Sequence, residues 1–203
     1  LYQLSPLAWR EFLSSHNWWS WVFILFADDF SFYWHHRLSH TVRLLWAAHV
    51  NHHSSYTLNL ATALRQSWTE PLYKYTFWIW MPLIGFEPWQ CMAMMSISLI
   101  YQFLQHTVFV KKLGPLEWIF NTPSHHRVHH GSNVLYLDRN HAGILIIWDR
   151  LFGTFQEEKD EEPVVYGIRS DFKSYNPFRI AFHEFAAIAK DVIGAKSWKD
   201  KLN

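Results

Sequence analysis

The chain has 203 residues, room for one domain, and half of them are hydrophobic. Aromatic residues make up 19%, with 13 Trp, and only 17% are charged, which excludes disorder, collagen and coiled coil. The 18 Lys and Arg against 17 Asp and Glu leave a net charge of +1, so there is no nucleic-acid footprint, and the lone Cys91 excludes a disulfide framework and a Cys-based zinc site.

The opening, Leu1 to Arg10, lacks an initiator Met and the basic flank of a signal peptide, so a fragment of a longer chain is expected. Residues 18–34 are nearly all apolar, broken by Asp28 and Asp29, and are about as long as the shortest membrane span. Two further apolar runs, 71–86 and 88–110, flank Gly85, Glu87 and Pro88 and read as a helical hairpin. As helices they would reach roughly 24 Å and 34 Å. Lys74 is the only basic residue between 71 and 110, which by the positive-inside rule puts the hairpin tip outside and the polar remainder in the cytoplasm. A mean hydropathy of -0.12 fits a few spans carrying a polar cap. Residues 157–162 read as a solvated acidic loop, and 177–194 as an amphipathic surface helix. The expected architecture is all-α: a transmembrane helical bundle with a cytosolic helical cap holding a histidine-rich dimetal site. It forms one integral membrane domain over 1–203, with 157–203 peripheral.

Ten of the 14 histidines fall within 35–53 and 125–130. They spell H-x3-H at His36 and His40, and H-x2-H-H twice, at His49, His52 and His53 and at His126, His129 and His130. On a helix such spacings share a face, so each motif is expected to aim its rings at one point. Clustered imidazoles repel when protonated and are costly to bury when unpartnered, whereas a metal takes them as neutral ligands. Eight ligands exceed the capacity of one ion, so two metals are expected; imidazole suits Zn, Cu, Fe and Ni. His106, at the end of the third run, is the candidate ninth ligand. Asp29 shares a face with His36, and Asp138 and Asn140 follow the last motif; these three are candidates to orient ligands. Tyr33, Trp34, Tyr101 and Phe103 are candidates to line a lipid path.

These stretches resemble the fatty acid hydroxylase and sterol desaturase superfamily of membrane di-iron enzymes. The resemblance rests on Asp29-Phe30-x-x-Tyr33-Trp34-x-His36-Arg37-x-x-His40, His49-x-x-His52-His53-Ser54-Ser55 and Asn121-Thr122-Pro123-Ser124-His125-His126-Arg127-Val128-His129-His130-Gly131. Asp138-x-Asn140 and Trp148-Asp149-Arg150-Leu151-Phe152-Gly153-Thr154 extend it. The run Asn59-Leu60-Ala61-Thr62-Ala63-Leu64-Arg65-Gln66-Ser67 is similar to the alkylglycerol monooxygenase-like branch. The resemblance implies two iron ions, with zinc an alternative occupant in purified protein, and O2-dependent hydroxylation of an ether lipid, fatty acyl chain or sterol-like C–H bond. It also implies a lipid substrate and a separate electron donor: a tetrahydropterin, cytochrome b5 or a ferredoxin. The expected location is the bacterial inner membrane or the endoplasmic reticulum, with the metal site on the cytoplasmic face. Relatives carry a further H-x3-H pair where this chain has Gln102-x3-His106, which leaves Gln102, His125 or water for a tenth ligand position. Two rival readings stand beside it: lipid or sterol desaturation on the same scaffold, and a zinc-binding membrane protein.

Overall fold

The computed structural model describes residues 1–169 and 174–197. The described residues are helical, with no strand and two isolated bridges, Phe120 to Leu145 and Gly131 to Tyr166. The helices are α1 Leu7–Phe12, α2 Trp18–Thr41, α3 Arg43–His53, α4 Leu60–Ala63, α5 Pro71–Lys74, α6 Trp80–Ile84, α7 Pro88–Gln105, α8 Pro123–His129, α9 Ile147–Leu151 and α10 Pro177–Gly194. The last matches the expected amphipathic helix. Within the expected peripheral tail, 170–173 and 198–203 lie outside the described residues.

The all-α expectation is met; of the expected spans, among the described residues no helix is long and apolar enough to cross a membrane. The run at 71–86 is not one helix. It breaks into α5, a 3-10 turn at Tyr75–Trp78 and α6. Pro82 has no N–H to offer the carbonyl four residues back, at Trp78, so a continuous helix loses a bond there. The third run stops at Gln105, because His106 leaves helical geometry. The first continues to Thr41 but carries Asp28 and Asp29, both buried against protein. The Trp78 indole donates to Asp28 at 2.7 Å.

The expected hairpin turn is present. Gly85 ends α6 at φ +124°, and a Cβ there would come within 2.9 Å of the Trp9 backbone, so only glycine fits. Glu87 pins the turn to the α1–α2 loop by accepting from the Ser15 N–H at 3.2 Å and the Ser15 hydroxyl at 3.0 Å. Beneath it Leu13, Ile24, Ala27, Trp78, Met81, Phe86, Cys91 and Met94 form an apolar core at one end of α2.

At its other end α2 packs on α3, α7 and the loop before α9. Asp29 ties that loop down: its carboxylate accepts from the backbone N–H of Ile144 at 2.6 Å and Leu145 at 2.8 Å, and from the Trp148 indole at 3.1 Å. Both oxygens are spent on this staple, so Asp29 does not orient a histidine as expected. The close approach requires Gly143, where a Cβ would lie 2.7 Å from Asp29 Oδ1 and 3.0 Å from the Phe32 ring. The Gly143→Ala variant is expected to lose about 1–3 kcal/mol of stability by overpacking, read as a lower midpoint in thermal unfolding. On the far side of α3, α10 is held by Arg43, which lies 3.3 Å from Glu184 and 2.6 Å from Asp191.

Candidate metal centre

Nine histidines converge at the polar end of α2. They form two groups: His36, His40, His49, His53 and His129 in one, and His52, His106, His126 and His130 in the other. Within each group the ring nitrogens lie within 4.8 Å of one another. H-x3-H occupies the last turns of α2, the first H-x2-H-H ends α3, and the second lies on α8 and its cap. His106 caps α7 and turns its ring inward.

The two H-x2-H-H motifs do not each serve one point, and here the sequence expectation needs correction. His49 and His53 enter the first group while His52 enters the second; His126 and His130 enter the second while His129 enters the first. Helical geometry explains the split. Residues i and i+4 differ by about 40° around the axis, but i+3 and i+4 differ by about 100°. Each motif therefore gives a pair to one group and a single ring to the other. The rings of His53 and His130 stack at 4.5 Å where the groups meet.

The donor set fits metal ions. Burial holds the His49, His53, His126, His129 and His130 rings well below the ordinary imidazole range and pushes His52 down to about 3, so all are neutral at pH 7. Nδ1 of His36 donates to the His141 carbonyl at 2.8 Å, that of His106 to the Gln102 carbonyl at 2.9 Å, and that of His129 to the Arg139 carbonyl at 2.9 Å. A carbonyl only accepts, so these bonds fix the tautomer and leave a lone pair on Nε2. His106 Nε2 then faces His52 Nε2 at 3.2 Å and His126 Nε2 at 3.0 Å. Nε2 of His40 and of His129 are buried with no protein partner. Lone pairs crowded together in this way call for a cation between them.

One loop sets the first group. The Arg139 and His141 carbonyls take two Nδ1–H groups, and the Asp138 carboxylate lies 3.4 Å from His40 Nδ1, as an orienting carboxylate should. Asp138 and Asn140 adopt φ of 54° and 55°, a left-handed turn that Asp and Asn tolerate. Asn140 touches no ligand ring; it anchors the loop, donating to the carbonyls of His125 at 3.1 Å and Gln156 at 2.7 Å and accepting from the Gln156 N–H at 2.8 Å. The Asn140→Ala variant is expected to lose about 1–3 kcal/mol of stability. Metal analysis should find the loss of metal confined to one of the two groups.

The other candidates for a tenth ligand lie outside both groups. The Gln102 amide donates to Ser98 at 3.0 Å and lines a cavity described below. His125 points away, with Nε2 4.0 Å from Glu117 and its ring against Phe155. His141, a further ligand candidate in the sequence, packs its ring 5.0 Å from His40 but belongs to neither group. One contributor was missed. Glu158, expected in a solvated loop, leaves solvent to clamp Arg127 through bonds of 2.8 Å and 2.6 Å, holding α8 between its ligands.

The family model for fatty acid hydroxylase matches residues 21–154, the stretch that contains every one of these histidines. The chain belongs to the fatty acid hydroxylase family. Among curated relatives of this family member, human alkylglycerol monooxygenase is 48% identical over 172 residues, 84% of this chain and 38% of its own length. The Xenopus tropicalis alkylglycerol monooxygenase is 41% identical over 202 residues, 100% of this chain and 43% of its own. The ornithine lipid hydroxylase of Rhizobium tropici is 32% identical over 132 residues, 64% of this chain and 40% of its own. The chain thus spans about two fifths of the length of these relatives, and its branch is the alkylglycerol monooxygenase-like one. No solved structure matches it.

Both groups border one cavity of about 360 Å³. Its floor includes His36 and His49 from the first group and His52, His106 and His126 from the second. Phe32, Leu64, Leu99, Ile100 and Phe103 supply apolar walls. Of the four aromatic residues expected on a lipid path, Phe103 lines this cavity. Tyr33 is fully buried with its hydroxyl 3.0 Å from Thr154, Trp34 packs on Phe152, and the Tyr101 hydroxyl donates to the Asn121 carbonyl.

Proposed function

We propose that the chain carries the catalytic part of an O2-dependent di-iron monooxygenase that hydroxylates a lipid. The observation carrying this reading is the apolar cavity whose floor is built from histidines of both groups. The family and the alkylglycerol monooxygenase and ornithine lipid hydroxylase relatives support it. Iron in the nine-histidine site would supply O2 reduction: one oxygen atom enters the C–H bond, the other leaves as water, and two electrons from an external donor and two protons from solvent complete the balance. The chain's own part is to fix ligand tautomers through the carbonyls of Gln102, Arg139 and His141, and to hold the lipid chain along Leu99, Ile100 and Phe103.

Leu99 and Ile100 are exposed as well as lining the cavity, so its mouth opens on the outer face of α7. Met92, Ile97 and Leu104 are also exposed on α7. In our reading this face lies against a bilayer, from which the lipid enters, and the histidine end faces the cytoplasm.

The test is lipid analysis of cells with and without the protein under labelled O2, joined to metal analysis. Hydroxylation gives a lipid carrying one labelled oxygen atom. A product lacking two hydrogens and carrying no label would establish desaturation. Zinc-loaded protein that neither consumes O2 nor regains activity on reconstitution with ferrous iron would overturn the reading. Zinc content alone would not, because zinc outcompetes ferrous iron at imidazole sites.

A further inference from the structure

The cavity beside the histidine groups has one polar wall that the ligand set leaves unused. His35, next in sequence to a ligand, is 1% exposed, and neither of its ring nitrogens has a hydrogen-bond partner. Its ring is boxed by Tyr73, Phe77 and Trp78, with centroids 5.3–5.8 Å away, so it cannot swing aside. Glu70, 5% exposed, brings a carboxylate oxygen to 3.7 Å from His35 Nε2, beyond hydrogen-bond reach. The same oxygen lies 3.0 Å from Lys74 Nζ. All three residues line the cavity that Leu99, Ile100 and Phe103 also line.

Buried donors and acceptors are normally satisfied, and a site that keeps them unpaired is fitted to a ligand that pairs them. The Glu70–Lys74 pair adds no net charge, so the wall offers hydrogen bonds without a surplus cation. A phosphate here would sit beside a buried carboxylate.

We propose that His35, Glu70 and Lys74 are specificity-determining residues that hold the uncharged, hydroxyl-bearing head of the lipid, with its chain running toward Leu99 and Ile100. A hydroxyl donates to Glu70 or to the unprotonated nitrogen of His35, and its oxygen accepts from the other His35 nitrogen or from Lys74. The proposal rests on the reading of this cavity as the lipid site.

The test measures binding as well as turnover. The probes are a glycerol ether with a long brominated chain, its di-O-methyl analogue and its phosphate monoester. Binding to the purified full chain with its metal is read as quenching of tryptophan fluorescence, corrected with a brominated alkane of equal length. Trp78, 5.7 Å from His35, is a built-in reporter. The diol is expected to bind at least about tenfold tighter than either analogue. The His35→Phe variant should lose that preference while its affinity for the methylated lipid and its metal content stay unchanged, and His35→Gln should keep part of it. If His35→Phe does not fold, Glu70→Gln is expected to reduce the preference to below about threefold. Equal binding of diol and methylated lipid by the unmodified chain, tighter binding of the phosphate, or a preference retained in the folded variant would overturn the assignment. A preference without conversion of any probe under O2 and reductant overturns the proposed function and leaves the head site standing. Conversion without a preference does the reverse.

Discussion

The His126→Ala variant is expected to abolish lipid hydroxylation, with a loss of at least about 100-fold, and to lower metal content from two ions per chain to one. His126 is the middle of the second group: its Nε2 lies 3.0 Å from that of His106 and 3.1 Å from that of His130. Removing it leaves His52, His106 and His130, too few rings for a four-ligand site. Changes one shell further out typically cost 10–100-fold, so the loss of a ligand should exceed that. His16→Ala is the control, since His16 is exposed and belongs to neither group. Full activity in His126→Ala, or two ions retained, would remove His126 from the ligand set.

The Asp29→Ala variant should be the most destabilising single change outside the histidines. Asp29 is fully buried and takes three donors, at Ile144, Leu145 and Trp148. Truncation strands all three away from water at about 1–3 kcal/mol each, so a loss of about 4–6 kcal/mol is expected after partial relaxation. Chemical denaturation of the metal-free chain measures it. If Asp29 instead acted on a metal ligand, Asp29→Ala would lose metal with little change in stability. That outcome would refute the staple.

The histidine motifs were legible because i, i+3 and i+4 spacings survive in the sequence as text. Which ring serves which group was not legible. That depends on how α3 and α8 are rotated relative to each other, and on the roughly 100° that separates His52 from His53. The membrane spans were read from apolar runs, yet such runs do not reveal that Asp28 takes a bond from Trp78 and Asp29 from the loop before α9, or that Pro82 interrupts the 71–86 stretch. Glu158 looked like one charge among several in an acidic run; its partner Arg127 is 31 positions away, a distance no local pattern reports. His35 was hidden in the same way, because its environment comes from Glu70, Tyr73 and Phe77, all on another stretch of chain.

The interleaving of the two histidine groups has a mechanical side. Each ion would be gripped by α2 or α7 together with both α3 and α8, so the pair acts as rivets through one joint rather than as two independent clasps. Withdrawing either ion would slacken the seat of the other, because the same two short helices bear on both. A chain emptied of one ion is therefore expected to keep the other with lower affinity, read as a weaker binding constant in titration with ferrous iron.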